Sequence, residues 1–129
     1  MKRFASHYLV VAANQMYKQY VVEMQGEFVY RIFPLHEEVE SASFFCGLLF
    51  LSPVKIDCEL VLENWKSADD KKQNIIELLI EKKLLLTQPV INEFGRLEEV
   101  SVYLYLVEHL DLSNFHLLPE SYLRRLAIA

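Results

Sequence analysis

Tyr17-Lys18-Gln19-Tyr20-Val21-Val22-Glu23-Met24-Gln25-Gly26-Glu27-Phe28-Val29-Tyr30-Arg31-Ile32 is the stretch that decides the fold class. Tyr20, Val22 and Met24 alternate with Gln19 and Glu23, which is the period of a strand with one buried face. Gln25-Gly26 reads as a turn. Beyond it Phe28, Tyr30 and Ile32 face one way and Glu27 and Arg31 the other, in a strand reaching Leu35. Upstream, Phe4 to Ala13 is rich in Val, Leu, Tyr and Phe and is separated from Tyr17 by Asn14-Gln15-Met16. The three runs predict a meander whose register is set by its buried face, because a one-residue slip would turn every apolar side chain outward.

Working outward, His36-Glu37-Glu38-Val39-Glu40-Ser41 is a polar connection, and Phe44-Phe45-Cys46-Gly47-Leu48-Leu49-Phe50-Leu51 is apolar at every position, as in a strand covered on both faces. Ser52-Pro53 ends it. Gly47 inside such a run predicts a bulge or a close backbone approach, a structural role rather than a ligand-binding one. Val54 to Trp65 is open between a short helix and an extended segment, with Trp65 turned to the core. Ser67 reads as the N-cap of a helix running to about Lys83, with Asp69 and Asp70 complementing its dipole and Ile75, Ile76, Leu79 and Ile80 forming its apolar stripe. Val100 to Val107 alternates Val102, Leu104 and Leu106 against Tyr103 and Tyr105, the pattern of another strand. Asp111 to Leu118, a Pro119-Glu120 turn and Tyr122 to Leu126 follow.

A chain of 129 residues, 53% hydrophobic, with 3 Gly and 4 Pro, is large enough to bury a core without a disulfide or metal and lacks the composition of a disordered segment. Its net charge of −5 argues against a nucleic-acid partner, which selects for a basic face. Lys71-Lys72, Lys82-Lys83 and Arg124-Arg125 are isolated pairs rather than a stripe. His7, Asn14, Gln15 and Lys18 interrupt the apolar start, so it reads as a strand and not as a signal peptide. Phe44 to Leu51 is far short of the roughly 20 residues that cross a bilayer. Cys46 and Cys58 lack CxxC spacing and fit reduced thiols, so the expected setting is cytoplasmic, without a membrane.

The block from Phe4 to Pro53 resembles the N-terminal segment of metal-dependent amidohydrolases, in which a meander with a Gly turn, here Gln25 to Ile32, precedes a Gly-apolar-Pro strand, here Gly47 to Pro53. The C-terminal pieces from Asp111 to Leu126 resemble the segments that complete the composite β-sandwich of that family. The resemblance implies such a sandwich without its barrel of about 250 residues. The family's His-x-His pair, two imidazoles on one side of the first barrel strand, would follow here. Val54-Lys55-Ile56-Asp57 stand there instead, so the family's metal site and hydrolase activity are not implied.

The expected architecture is therefore mainly β with one principal helix, an α+β composite-domain-like β-sandwich or partly open barrel. The chain is expected to form a single domain over 1–129: meander and Gly/Pro strand at 1–53, helical connection at 54–97, completing strands at 98–129. His7, His36, His109 and His116 have no metal-ligand spacing, although His7 and His109 lie on predicted strands that could be neighbours. Glu37, Glu38, Glu40, Glu98 and Glu99 sit in polar connections and read as solvated charge. No phosphate loop, nucleophile elbow or Cys/His nucleophile pattern is present.

Tyr103 and Tyr105, with Tyr8 or Tyr17, are the candidate interaction surface, suited to a second copy or a protein partner if their face is exposed. Two functions follow. One is a non-catalytic interaction module without cofactor. The other is a small metal-binding hydrolase assembled from dispersed His and Glu.

Overall fold

Seven strands form one mixed sheet in the computed structural model, which describes residues 2–35, 42–67, 74–87 and 102–126. In chain order the elements are β1 (Lys2–Ala12), β2 (Gln15–Lys18), β3 (Tyr20–Gln25), β4 (Phe28–Pro34), β5 (Ala42–Ser52), α1 (Cys58–Ser67), α2 (Ile75–Glu81), β6 (Tyr103–Asp111) and β7 (His116–Leu126). Across the sheet the order is β4-β3-β1-β5-β6-β7, with β2 also paired to β1. Only β1 and β5 run parallel; every other pair is antiparallel.

The meander forms, with two local departures from simple alternation. Gln19, at φ 52, splits the second predicted strand into β2 and β3, which lie end to end along β1. In β4 the partner of Glu23 is Arg31 but the partner of Met24 is Val29, so Tyr30 is an extra residue. That bulge changes which side chains face inward: Val29 and Ile32 are buried and Phe28 is exposed, where strict alternation predicts Phe28, Tyr30 and Ile32. A slip between Ser6 and Tyr8 in the β1–β5 register does the same for β1, placing Phe4 below it and Leu9 and Val11 above it in one core.

Both faces of the sheet are covered in its upper half. The inner core packs Phe4, Val22, Met24, Val29 and Ile32 from the lower half of the meander against Leu49, Leu51, Leu104, Leu106 and Leu126. These groups meet because the sheet coils. Val102 stands beyond the Ser52–Tyr103 rung and Glu27 beyond the Lys2–Met24 rung, at diagonally opposite corners, yet the Val102 N–H donates to Glu27 O at 2.8 Å. The Arg125–Glu27 ion pair at 3.8 Å joins the same corners.

The outer core packs Leu48, Phe50, Tyr105, Val107 and Leu123 against Ile56, just before α1, and against the two helices through Trp65, Ile75, Leu78 and Leu79. Fully burying one such side chain contributes about 1.5–3 kcal/mol. An exposed ion pair such as Arg124–Glu108 adds roughly 0–1 kcal/mol, so the two apolar cores dominate stability.

Among the described residues two short helices stand where one principal helix is expected. Ser67 is the last residue of α1, not an N-cap, and the N-cap of α2 is Asn74, whose side chain accepts from the Ile76 and Glu77 N–H groups at 2.8 and 3.3 Å. Asp69 and Asp70 lie outside the described residues. α2 ends with Lys83 at φ 57, the Leu84 N–H bonding to Leu79 O and the Lys83 N–H to Ile80 O. Trp65 is buried as expected. Pro119-Glu120 is not a turn. The chain reverses at residues 112–115, and Pro119-Glu120 falls inside β7, within an irregularity that sets Leu117 opposite Leu110 and Tyr122 opposite Glu108. Proline is tolerated there because β7 is an edge strand.

Candidate interaction surface

The four tyrosines do not gather into one patch. Tyr105 is wholly buried: its ring stacks on Phe50 with centroids 5.4 Å apart, and its hydroxyl accepts from the Ile56 N–H at 2.7 Å. Burial pushes its phenol above the ordinary value. It ties α1's leading segment to the sheet and is withdrawn from any surface. Tyr103 is half-buried beneath the Arg125 guanidinium, 4.8 Å from its ring, and Tyr8 packs edge-on against Phe115 at 4.9 Å. These three lie on the helix-covered face. Tyr17 faces the inner core, stacked on Tyr20 with centroids 4.4 Å apart, and burial raises its phenol. The tyrosine patch expected from alternation fails because the face opposite Leu104 and Leu106 is the one the helices cover.

Among the described residues no group of three His, Cys, Asp or Glu side chains stands where it could hold a metal ion. His7 and His109 fall on β1 and β6, with β5 between them, and His116 sits opposite Asp111 on β7. His36, Glu37, Glu38, Glu40, Glu98 and Glu99 lie outside the described residues. The Cys58 thiol is pushed up by burial and by the neighbouring Asp57, the opposite of what a nucleophile needs. Cys46 is exposed rather than enclosed. A cleft of about 340 Å³ opens between the helices, lined by Val61, Trp65, Leu78, Lys82 and Leu84 among others. That is at the small end of ligand sites, and Asn64, Glu81 and Lys82 are the polar side chains of its lining.

The lower half of the sheet holds two features that sequence reading missed. The first is a polar rung. Arg31, Glu23 and Arg3 lie directly opposite one another on β4, β3 and β1, and Ala42 of β5 continues the line. The Glu23 side chain is only 2% exposed; Arg3 Nε donates to its Oε2 at 2.5 Å and Arg31 Nε to its Oε1 at 3.0 Å. Burial disfavours the Glu23 carboxylate, but the two hydrogen bonds and two positive charges outweigh it and hold the pKa below the ordinary value. Arg31 also covers the Phe33 ring at 4.6 Å. Charges at Arg3, Glu23 and Arg31 are legible in the sequence. Their alignment requires the register.

The second feature is a strand edge with no partner among the described residues. β6 pairs with β5 only from Gly47 to Ser52. At His109, φ 56, the β6–β7 register breaks, and the hairpin tip bends over the outer face, where the Ile75 N–H bonds to Phe115 O and Phe115 meets Tyr8. β5 from Ala42 to Cys46 is thus paired with β1 on one side and, among the described residues, with no strand on the other. Its exposed side chains include Phe44, 46% accessible, edge-on to His7 at 5.3 Å. Gly47 marks the boundary. A Cβ there would stand 2.1 Å from Val107 O, so β6 approaches this closely only because residue 47 has none.

Comparison with protein-family models, with curated proteins and with solved structures found no match. Among the described residues no helix is long and apolar enough to cross a membrane.

Proposed function

We propose that this chain is a non-catalytic protein-interaction module that binds an extended segment by adding it as a strand to β5. One observation carries this reading: five consecutive residues, Ala42 to Cys46, present a strand edge without a strand partner among the described residues, beside an exposed phenylalanine. Backbone groups on an unpaired edge supply affinity by main-chain hydrogen bonding, and side chains that alternate above and below the strand supply selectivity. Natural sheets usually guard such edges with lysine, proline or a covering element. β4 carries Arg31 and Pro34 and β7 carries Pro119, Glu120, Arg124 and Arg125, whereas Ala42-Ser43-Phe44-Phe45-Cys46 carries no charge or proline of its own, the nearby cation being Arg124 of β7 over the Phe45 ring at 5.1 Å.

The resemblance to the composite sandwich of amidohydrolases fits the same proposal. A sheet of that ancestry standing without its barrel would keep a surface that once had a neighbour. The test is fluorescence anisotropy with a labelled, uncharged eight-residue peptide of alternating Val and Thr. Binding that weakens at least tenfold in Phe44→Lys is the expected result. Equal binding to the wild type and to Phe44→Lys, or no binding to either, overturns the proposal.

A further inference from the structure

We infer that the cleft between α1 and α2 is a binding site for a small zwitterion with an apolar side chain, of the kind an apolar amino acid represents. It shares no residue with β5 and does not depend on strand docking there.

Helix spacing builds the cleft. Val61, Asn64 and Trp65 stand at i, i+3 and i+4 on α1, and Leu78, Glu81 and Lys82 repeat that spacing at the end of α2, so each helix turns one stripe toward the space between them. Lys83, in the left-handed region, ends α2, and Leu84 beyond it completes the lining. Every one of these residues is among the described ones, and together they enclose about 340 Å³, far more than the water-sized gaps of a packed interior.

The chemistry of the lining selects the occupant. Val61, Trp65, Leu78 and Leu84 make the floor apolar, with Trp65 and Leu78 buried. At the rim stand Glu81 and Lys82, both exposed, and no ion pair joins either to another described residue. A ligand with a carboxylate alone would meet Lys82 but also Glu81, and an amine alone would meet the reverse. A molecule carrying both charges is matched at both, while its side chain lies on Trp65. An α-amino acid holds its two charges on one carbon, as close together as the two rim residues. The volume fits a single amino acid rather than a peptide. Because the rim charges are in water, where an ion pair contributes little, the dissociation constant should be on the order of 1 mM.

Trp65 is the one tryptophan of the chain, so intrinsic fluorescence reports this cleft alone. The full chain is titrated with L-leucine, with isocaproate, which lacks the ammonium, and with isopentylamine, which lacks the carboxylate. Saturation-transfer NMR of the same ligands reads binding independently of the indole. Leucine should saturate, and each analogue should bind at least about threefold more weakly, the reach of an exposed ion pair. Glu81→Gln and Lys82→Met should each weaken leucine by a similar factor with unchanged circular dichroism. Lys82→Met should leave isopentylamine no weaker and Glu81→Gln should leave isocaproate no weaker, a crossover that a merely structural effect would not produce. No saturation by either readout up to about 50 mM, equal binding of the three ligands, or a loss of leucine in only one of the two variants overturns the zwitterion site.

Discussion

The two halves of β5 have nearly the same residue types and opposite surroundings. From Gly47 to Ser52 the strand is paired with β6, and from Leu48 to Phe50 with β1 as well; both cores cover it, and Leu48, Leu49, Phe50 and Leu51 are inaccessible. From Ala42 to Cys46 its one strand partner among the described residues is β1, and Ser43, Phe44 and Cys46 are exposed. Hydrophobicity does not distinguish Phe44-Phe45-Cys46 from Leu49-Phe50-Leu51. The neighbour does. What decides burial is whether β6 stays in register, and that depends on the absent Cβ of Gly47 and the backbone turn at His109.

The sharpest way to break the contrast is to remove the feature that lets β6 close on the upper half. Gly47→Ala places a methyl group against Val107 O, where the nearest atoms are all backbone of Val107 and Glu108 and no flexible side chain can yield. It should cost about 3 kcal/mol, read as a lower urea midpoint, and should speed amide exchange in residues 103–108 before residues 20–25.

The lower half should respond to charge instead. Glu23→Gln leaves Arg3 and Arg31 facing a neutral amide and should cost about 2 kcal/mol in thermal or urea unfolding at pH 7. The sign with pH follows from the depressed folded-state pKa of Glu23. Its contribution is full above the unfolded value and is lost as pH falls from about the ordinary 4.5 through the lower folded value. The wild type should therefore lose its advantage over Glu23→Gln below about pH 4.5; an advantage that grows on acidification would contradict the rung.

A smaller effect sharpens the upper half. Tyr105→Phe keeps the stack on Phe50 but leaves the buried Ile56 N–H without its acceptor, which should cost about 1–2 kcal/mol. The smallest effect is expected at the exposed Cys46. Cys46→Ser should change stability by less than about 0.5 kcal/mol, whereas the same change in polarity at a buried position of the upper half would not be tolerated so cheaply.

Much of the sheet is legible in the sequence, because alternation reports burial directly. The meander, the Gly47 close approach, the buried Trp65 and the strand through Leu104 and Leu106 all follow from residue pattern. The errors arise where one residue interrupts the pattern. Tyr30 is an extra residue in β4, Gln19 breaks β2 from β3, and Asn74 competes with Ser67 as a helix start; each is an ordinary residue in a conformation its type does not announce. The candidate site was less legible still. Tyr105 looks surface-facing until the helices are placed over it, and the exposed half of β5 is an apolar run whose pairing, β1 on one side and no strand among the described residues on the other, is set by topology.

The clasp between Val102 and Glu27 has a consequence for how quickly the chain can assemble. Hairpins such as β3–β4 and β6–β7 join neighbouring sequence and form in about 1–10 µs. The clasp and the parallel β1–β5 pair join segments far apart along the chain, so their closure entropy falls due before their contacts reward it. Refolding should accordingly be limited by corner closure, with Leu126 docking late and the greasy inside of the coiled sheet open to solvent until it does.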